Sequence, residues 1–201
     1  MVSTLPQADL FENAPRTAIS GLNYLHEYID MTTERALIEQ IDRQPWFTDL
    51  KRRVQHYGYK YNYKAQAVTS ELQLGPIPDW LGGLCKRLYE EGVFSERPDQ
   101  VIINEYLPGQ GITPHIDCVP CFGETIASLS LGSPCVMEFS QPEAKRKEPV
   151  LLEPRSLVVL EGNARYRWQH SIPQRKTDIY SGQRFSRGRR ISLTFRTVIL
   201  T

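Results

Sequence analysis

The second half of the chain is a series of short apolar runs that are separated by turns and not by helices. The turns have the sequences Pro-Gly, Gly-Ser-Pro and Gly-Asn, and the runs are rich in β-branched residues. Many short strands without helices between them exclude a parallel α/β sheet and indicate a sandwich or barrel. The predicted strands are Val101–Tyr106, Thr125–Leu131, Cys135–Phe139, Ser156–Glu161 and Ile191–Leu200.

Two helices are predicted before these strands. The first begins at Thr32 or Thr33, either of which suits an N-cap, and ends before Pro45. The second spans about Pro78–Glu91, and Gly92 can close it. Apolar residues recur at helical spacing in both, namely Leu37, Ile38 and Ile41 in the first and Leu81, Leu84 and Leu88 in the second. The predicted fold class is therefore α+β: a jelly roll, or double-stranded β-helix, with N-terminal helices packed on the outside.

A length of 201 residues suits one domain, which we expect at residues 21–201 after an N-terminal extension at residues 1–20. The chain has no run of roughly 18 apolar residues, so no membrane span is predicted. It also lacks a basic segment followed by an apolar run at its start, and a cytoplasmic monomer is therefore expected. The four cysteines do not suggest a disulfide framework.

The net charge of +1 hides an uneven distribution of charged residues. Between Arg165 and Arg196 there are nine Lys or Arg and one acid, Asp178. Such segregation can create a local positive field for a polyanion even when the total charge is near zero. Solvated basic side chains on unrelated faces would give the same count, so charge alone leaves both interpretations open.

A possible metal site is indicated by His115 and Asp117, which follow a Pro-Gly-Gln-Gly turn. In extended backbone, side chains at i and i+2 leave the same face and can reach one ion. His170, 53 residues after Asp117, could complete a two-histidine, one-carboxylate set of the kind that binds iron(II) in oxygenases. Alone this spacing is a weak signal. Cys118 and Cys121 follow directly; a structural zinc site is the less favoured use of this pair, whose role the sequence leaves open.

The segment Arg190–Arg196 alternates with the period of a strand. Its apolar face carries Ile191, Leu193 and Phe195, and its polar face carries Arg190, Ser192, Thr194 and Arg196. Guanidinium groups pair with carboxylates through two parallel hydrogen bonds, so this face suits a dicarboxylate if it lines a cavity. Asn104 and Tyr106 could add an amide and a phenol. The alternative is that Arg190–Arg196 is a surface edge strand. Asn104 and Tyr106 would then be strand residues without a role in binding.

Taken in order, Asn-x-Tyr, His-x-Asp, a distant His and Arg-x-Ser-x-Thr-x-Arg resemble the AlkB family of 2-oxoglutarate oxygenases. The stretches QVIINEYLPGQGITPHID and IASLSLGSPCVMEF resemble its catalytic core, and the resemblance covers about residues 20–200. RRVQHYGYKYNY and SLSLGSPCVMEF are most similar to the branch linked to tRNA wobble-uridine modification. That branch's larger proteins also carry RNA-binding and methyltransferase domains, which have no counterpart in this sequence.

The resemblance implies an iron(II)- and 2-oxoglutarate-dependent dioxygenase that consumes O2 and oxidatively removes alkyl groups from nucleic-acid bases. It implies His115, Asp117 and His170 as iron ligands. The implied 2-oxoglutarate contacts are Arg190 at the distal carboxylate, assisted by Tyr106, with Asn104, Ser192 and Arg196 at the other end or near the metal. Two positions depart from repair members of the family: Ser192 stands where these commonly have Asn, and Val119 where an acid often reads the damaged base.

Residues 51–64 interleave basic and aromatic side chains, and Tyr57, Tyr59, Tyr61 and Tyr63 would share one face of a strand. They could simply face the core. Because the resemblance implies a lid in this segment, we expect it to stack an extruded base and hold phosphates. The predicted lid consists of Arg52, Arg53, His56, Tyr57, Tyr59, Tyr61 and Trp168. Further candidate phosphate contacts are Lys51, Arg165, Arg167, Arg187 and Arg189.

Four alternatives to dealkylation of a nucleic acid remain open at this point. Two are also dioxygenase reactions: hydroxylation of a modified tRNA wobble uridine, and demethylation of a protein side chain. The third is a non-catalytic nucleic-acid-binding module, and the fourth is a cupin-like zinc hydrolase, which would be active with zinc and inactive with iron and 2-oxoglutarate. Formaldehyde release distinguishes demethylation from stable hydroxylation. The sequence does not decide between DNA and RNA, nor does it identify the alkyl group.

Overall fold

Two antiparallel sheets and a hairpin contain all the strands in the part of the chain that the computed structural model describes, residues 18–48, 50–62 and 64–200. In chain order the strands are β1 (Leu22–Leu25), β2 (Val54–Tyr57), β3 (Gln100–Tyr106), β4 (Ile112–His115), β5 (Ile126–Gly132), β6 (Cys135–Gln141), β7 (Arg146–Leu152), β8 (Leu157–Leu160), β9 (Gln169–Ile172), β10 (Thr177–Tyr180), β11 (Gln183–Ser186) and β12 (Arg190–Arg196). The larger sheet has the order β1-β8-β5-β12-β3-β2 and the smaller one β4-β9-β6-β7, while β10 and β11 form the hairpin. This arrangement confirms the predicted jelly roll.

Three helices accompany the strands in the described residues: α1 (Met31–Asp42), α2 (Asp79–Glu90) and the short α3 (Gly162–Tyr166). The side chain of Asp30 accepts a 2.7 Å hydrogen bond from the Thr33 amide and caps α1. The predicted N-cap at Thr32 or Thr33 is therefore wrong, because the aspartate just before them satisfies the free amide first. Pro78 precedes α2 as expected, since proline lacks the amide that a first turn leaves unpaired.

Helices α1 and α2 cover the outer face of the larger sheet. Leu37 and Ile41 of α1 and Leu81 and Leu88 of α2 belong to a core cluster that includes Leu193 of β12. All five are at most 6% exposed. Burial of a leucine or isoleucine side chain contributes about 2 kcal/mol each, so this face is a main source of stability. The predicted position of the helices outside the jelly roll is confirmed.

The other face of β12 looks into the space between the two sheets. This strand is central, pairing with β3 on one side and β5 on the other. Its apolar residues Ile191, Leu193 and Phe195 lie in the helix-side core. Its polar residues line a cavity on the opposite side, and they are Arg190, Ser192, Thr194 and Arg196. The cavity-lining interpretation of the alternation therefore holds, and the surface-edge alternative does not.

The continuous strand expected over residues 51–64 is not formed. β2 ends at Tyr57 because Gly58 takes φ +76°, and a Cβ there would lie only 1.8 Å from the Asp99 carbonyl oxygen. Only glycine accommodates that turn. Beyond it the chain continues through isolated bridges, Tyr59 with Gln73 and Asn62 with Ala67. The tyrosines consequently do not share one face; Tyr63 lies outside the described residues.

Most of the N-terminal extension expected at residues 1–20 also lies outside the described residues. Ile19, however, is 2% exposed and packs in a second apolar cluster with Tyr24 and Phe122. The division at residue 20 stays a prediction. Within the described residues, no helix combines the length and apolar character that crossing a membrane requires.

Candidate metal centre and cavity

A cavity of about 360 Å³ lies between the two sheets. Strands of both sheets and the loop after β4 contribute to its wall. Its polar lining in the described residues is Arg52, Tyr61, Gln66, Asn104, Tyr106, Thr113, His115, Asp117, Ser128, His170, Arg190, Ser192, Thr194 and Arg196. This volume is typical of a site for a small molecule.

His115, Asp117 and His170 meet in this cavity. His115 ends β4 and is the register partner of His170 on β9, so strand pairing places the two imidazoles side by side with ring centroids 4.4 Å apart. Asp117 follows two residues after His115. One ligand atom from each of the three residues lies within 4.8 Å of the others. The structure thus brings together the three residues that the sequence predicted.

Each histidine has a ring nitrogen that can bind a metal. The Nδ1 of His115 donates to the Thr113 carbonyl at 2.8 Å, which leaves Nε2 as the free acceptor. Burial lowers the pKa of His170 to about 4, although the nearby Asp117 carboxylate favours the charged form. His170 is therefore neutral at neutral pH, as a metal ligand must be.

Asp117 carries the negative charge of the set. Burial would raise its pKa, but the charge of Arg196 and, in acid where they are protonated, the nearby histidines outweigh burial and hold the pKa well below the usual range of a carboxyl group. Arg196 Nη2 donates to Asp117 Oδ1 at 2.6 Å. Asp117 Oδ2 lies 3.6 Å from His170 Nε2, so this second oxygen is turned towards the histidines.

Arg165 of α3 organises the loop that carries Asp117, a role that sequence reasoning missed. Its guanidinium is 2% exposed and donates to four backbone carbonyls in the loop. These belong to Asp117, Cys118, Phe122 and Gly123, at distances between 2.8 and 3.3 Å. The expected phosphate contact by Arg165 is therefore wrong, because its guanidinium is buried and already hydrogen-bonded within the protein. The local sequence does not indicate that Arg165 is buried, because the basic residues around it are typical of an exposed surface.

Arg187 requires the same correction. It is 8% exposed and binds the fully buried Asp178 through two hydrogen bonds of 2.6 and 2.8 Å. Arg187 therefore closes the base of the β10–β11 hairpin, since Asp178 lies on β10, and is not available to a phosphate. Arg167, by contrast, is exposed, which leaves its predicted contact open.

Arg190 lines the cavity and has buried hydrogen-bond donors without a partner in the described part of the chain. It is 2% exposed, and its Nη2 donates to Ser130 Oγ at 2.9 Å. Its Nε and Nη1 have no hydrogen-bond partner among the described residues, although both are buried. A buried cation with unpaired donors is costly unless an anion completes it. The geometry therefore fits a carboxylate ligand at Arg190.

The remaining predicted co-substrate contacts also line the cavity. Ser192 Oγ lies 2.8 Å from Ser128 Oγ, and Asn104 Oδ1 accepts a 2.8 Å bond from Arg52 Nε. The guanidinium carbon of Arg190 lies 5.5 Å from the centre of the Tyr106 ring. Ser128 and Ser130 were not predicted, although their alternation with Ala127, Leu129 and Leu131 in β5 is a signal that could have found them.

The residues expected to form a nucleic-acid lid divide into three groups. Arg52 and Tyr61 line the cavity. His56 is 8% and Trp168 4% exposed, and neither offers a face for stacking, which corrects that prediction. The other three have contacts elsewhere: Tyr57 packs against Trp80 with ring centroids 5.5 Å apart, Tyr59 packs against the second apolar cluster, and the exposed Arg53 binds Glu105.

Cys118 and Cys121 form a disulfide beside the cavity. Both sulfurs lie 3.2 Å from the Gln66 carbonyl oxygen, so the cross-link contacts the segment that follows β2. The sequence indicated no disulfide framework and left the role of this pair open; among the described residues the structure contains this one cross-link. Cys85 and Cys135 are free and buried.

The donor set fits an iron(II) centre with a carboxylate co-substrate. Two neutral imidazoles and one carboxylate are the ligands of the facial triad of non-haem iron oxygenases, which leaves metal positions open. The unpaired guanidinium donors of Arg190, which lines the same cavity, are suited to bind the carboxylate of such a co-substrate.

Comparison with known proteins agrees with this geometry. The family model described as "2OG-Fe(II) oxygenase superfamily" matches residues 14–196. "Uncharacterized protein L905" of Acanthamoeba polyphaga mimivirus is 36% identical over 90% of this chain and 86% of its own length. "Alkylated DNA repair protein ALKBH8 homolog" of Arabidopsis thaliana is 36% identical over 90% of this chain and 59% of its own length.

A third relative, "tRNA (carboxymethyluridine(34)-5-O)-methyltransferase ALKBH8" of Mus musculus, is 37% identical over 89% of this chain. The chain spans only 30% of that protein's length. Among solved structures, "The structure of OsALKBH1" superposes with a TM-score of 0.69 at 16% identity, covering 92% of this chain and 99% of the other. That similarity supports the fold.

Proposed function

The chain belongs to the 2OG-Fe(II) oxygenase superfamily, in which it resembles the AlkB homologues, and we propose that it oxidises an alkyl group on a nucleic-acid base. It is a dioxygenase that uses iron(II), 2-oxoglutarate and O2. The observation that carries the proposal is the shared cavity, which the two-histidine, one-carboxylate set lines from the side of the smaller sheet and Arg190, with its unpaired donors, from the larger sheet.

In this proposal His115, Asp117 and His170 hold the iron, and Arg190 binds the distal carboxylate of 2-oxoglutarate with Tyr106 beside it. Asn104, Ser192 and Arg196 lie towards the co-substrate's other end. The bound iron and 2-oxoglutarate supply O2 activation, with succinate and carbon dioxide formed as a substrate C–H bond is hydroxylated. Arg196 keeps one oxygen of Asp117 occupied, which orients the carboxylate in the site.

The cavity wall serves to exclude bulk water from this chemistry. Apolar side chains from both sheets line it beside the polar ones, and they include Ile126, Met137, Val158, Leu160 and Ile172. A dry wall strengthens the attraction between Arg190 and a carboxylate, because both lose competing water.

Nucleic acid is the proposed substrate class because the names of two similar proteins refer to alkylated DNA and to tRNA. Arg52 and Tyr61, both lining the cavity, are the proposed contacts to a nucleotide. A cytoplasmic location and a monomeric state belong to the same proposal.

A second candidate, hydroxylation of a modified tRNA wobble uridine, is favoured by the charge of the cavity. Asp117 is the single carboxylate among the described residues that line it. Val119, where an acid often stands in repair enzymes, is apolar and 48% exposed. A cationic N-alkylated base would find no second carboxylate here, whereas an uncharged uridine needs none.

The test is anaerobic loading with iron(II) and 2-oxoglutarate, followed by assays of succinate and formaldehyde on three substrates. These are N-methylated single-stranded DNA, the matching RNA, and tRNA with a modified wobble uridine. We expect succinate to be lost in His115→Ala and Arg190→Ala and retained in His26→Ala, since His26 is a half-exposed histidine bound to Glu153.

Formaldehyde released with succinate would support dealkylation. Succinate with a stable hydroxylated nucleoside would support the uridine candidate. Absence of succinate with all three substrates, despite bound iron and 2-oxoglutarate, would reject a nucleic-acid substrate of these types.

A further inference from the structure

Glu105 is a buried carboxylate on the face of β3 that does not line the cavity. It is 2% exposed and stands between Asn104 and Tyr106, which both face the cavity. It accepts a 2.8 Å bond from Arg53 Nη2 and a 2.5 Å bond from Arg189 Nε. Burial would raise its pKa, but these two arginines outweigh burial and hold the pKa below its ordinary value. Glu105 is thus an ionised group shared by two cations.

Each of the two arginines is the chain neighbour of a cavity arginine. Arg53 follows Arg52, and Arg189 precedes Arg190. In extended backbone, neighbouring side chains leave opposite faces, so a side chain held outward turns its neighbour inward. Arg53 and Arg189 continue the sheet ladder by one residue beyond β2 and β12, because the Glu105 amide donates to the Arg53 carbonyl at 3.1 Å and the Ser133 amide to the Arg189 carbonyl at 2.9 Å. Arg52 lies at a bend, and its Nε donates to Asn104 Oδ1 at 2.8 Å on the cavity side.

The two arginines are also fixed by further contacts on the outer face. Arg189 binds Asp42 at the end of α1, with one of its two bonds 2.9 Å long. The Arg53 guanidinium carbon lies 4.6 Å from the centre of the Trp46 ring. Glu105 forms an ion pair with both side chains, so it couples the segment before β2 to the start of β12.

A purely stabilising role is a weak explanation for this arrangement. A buried ion pair often contributes no more stability than an apolar replacement, because the charges lose their hydration. Its clearer effect is to fix geometry, since a misplaced partner leaves a buried charge unpaired. Here the ion pairs of Glu105 lie on the opposite side of the sheet from Arg190 and Arg52, which line the cavity.

We infer that Glu105 is a positioning residue, which sets Arg190 through Arg189 and Arg52 through Arg53. The inference rests on the proposed role of Arg190 in binding 2-oxoglutarate. Removal of the charge takes away the contact that the two outer arginines share, so the two cavity arginines are held less firmly in direction while the iron ligands stay in place.

The experiment measures binding of 2-oxoglutarate to Mn(II)-loaded protein by calorimetry, together with KM and kcat where turnover is available. Glu105→Gln is expected to raise the Kd and KM for 2-oxoglutarate about tenfold and to change kcat less than twofold at saturation. Glu105→Asp, which keeps the charge, is expected to recover most of the affinity.

Asp178→Asn is the matched control. Asp178 is likewise buried and shared by two arginines, Arg175 and Arg187, but neither is the chain neighbour of a cavity arginine. Its expected Kd for 2-oxoglutarate lies within twofold of wild type. Equal losses in Glu105→Gln and Asp178→Asn would reduce Glu105 to a structural role and overturn the inference.

Two further variants keep the test decisive if Glu105→Gln does not fold. Arg189→Met is expected to weaken 2-oxoglutarate binding and to spare binding of a single-stranded RNA oligonucleotide. Arg53→Met is expected to do the reverse, because it acts through Arg52. Unchanged 2-oxoglutarate binding in Arg189→Met would overturn the inference. A wild-type protein that binds Mn(II) but no 2-oxoglutarate would instead reject the proposed function on which it rests.

Discussion

Arg196 and Asp117 form a buried pair in which Nη2 of the arginine lies 2.6 Å from Oδ1 of the carboxylate. The other carboxylate oxygen is turned towards His170. The pair joins the end of β12 in the larger sheet to the loop after β4, so the two sheets meet at the proposed metal centre.

We expect Arg196→Gln to lower the affinity of the site for a divalent metal about tenfold or more, because Asp117 loses the partner that orients it. Calorimetric titration with Mn(II) measures this directly. Arg155→Gln is the control, since that arginine binds Glu27 and Glu34 away from the cavity. Equal Mn(II) affinity in Arg196→Gln and wild type would show that the arginine does not orient the ligand.

Replacement of Arg165 by methionine is expected to lower the free energy of unfolding by roughly 3 kcal/mol, because four carbonyls lose their donor at once. Urea unfolding measures the change. Arg167→Met, an exposed neighbour on the same turn, should cost less than about 0.5 kcal/mol. A similar loss in both variants would contradict the buried role of Arg165.

Asp178 should contribute to stability in a pH-dependent way. Burial raises its pKa, but its bonds to Arg187, the Val136 amide and Arg175 outweigh burial, and the pKa in the folded protein is lowered. The folded protein therefore binds fewer protons than the unfolded chain in acid. The stabilisation is complete above the unfolded pKa of about 3.9 and is lost as pH falls towards the lowered folded value.

Asp178→Asn removes this titration. Its Tm should be lower than that of wild type near neutral pH, and it should fall less between about pH 6 and about pH 3. Thermal unfolding across that range is the measurement. An acid-induced fall as steep as that of wild type would mean that Asp178 does not carry the effect.

Arg52→Ala should weaken binding of single-stranded RNA and reduce the slope of log Kd against log salt by about one, as expected for one lost phosphate contact. Fluorescence anisotropy at several salt concentrations measures both quantities. Lys86→Ala is the control, because Lys86 is exposed on α2 and paired with Glu90. If the slope stays the same in Arg52→Ala, the contact is not to a phosphate.

The sequence predicted the parts of the site that rest on local periodicity. Alternation with period two places Leu193 and Arg190 on opposite faces of β12. The same period places His115 and Asp117 on one face. His170 was identified through the family resemblance, since its position depends on the pairing of β4 with β9 across many intervening residues. No local pattern specifies such a pairing.

Other features could not be predicted because tertiary contacts override local signals. β7 was missed, since it carries charged residues and Pro149 and lies at the edge of the smaller sheet. The tyrosine-rich segment looked like one strand, but Gly58 turns the chain against Asp99. The burial of Arg165 depends on a loop that is distant in sequence.

The two faces of β12 also limit how this protein can evolve. One face packs against the helices and the other lines the cavity, so insertion of one residue would send arginines into the core and large apolar side chains into the site. New substrate preferences are therefore expected to arise in the loops at the cavity mouth, around Gln66 and Val119, while β12 stays unchanged among descendants that keep the activity.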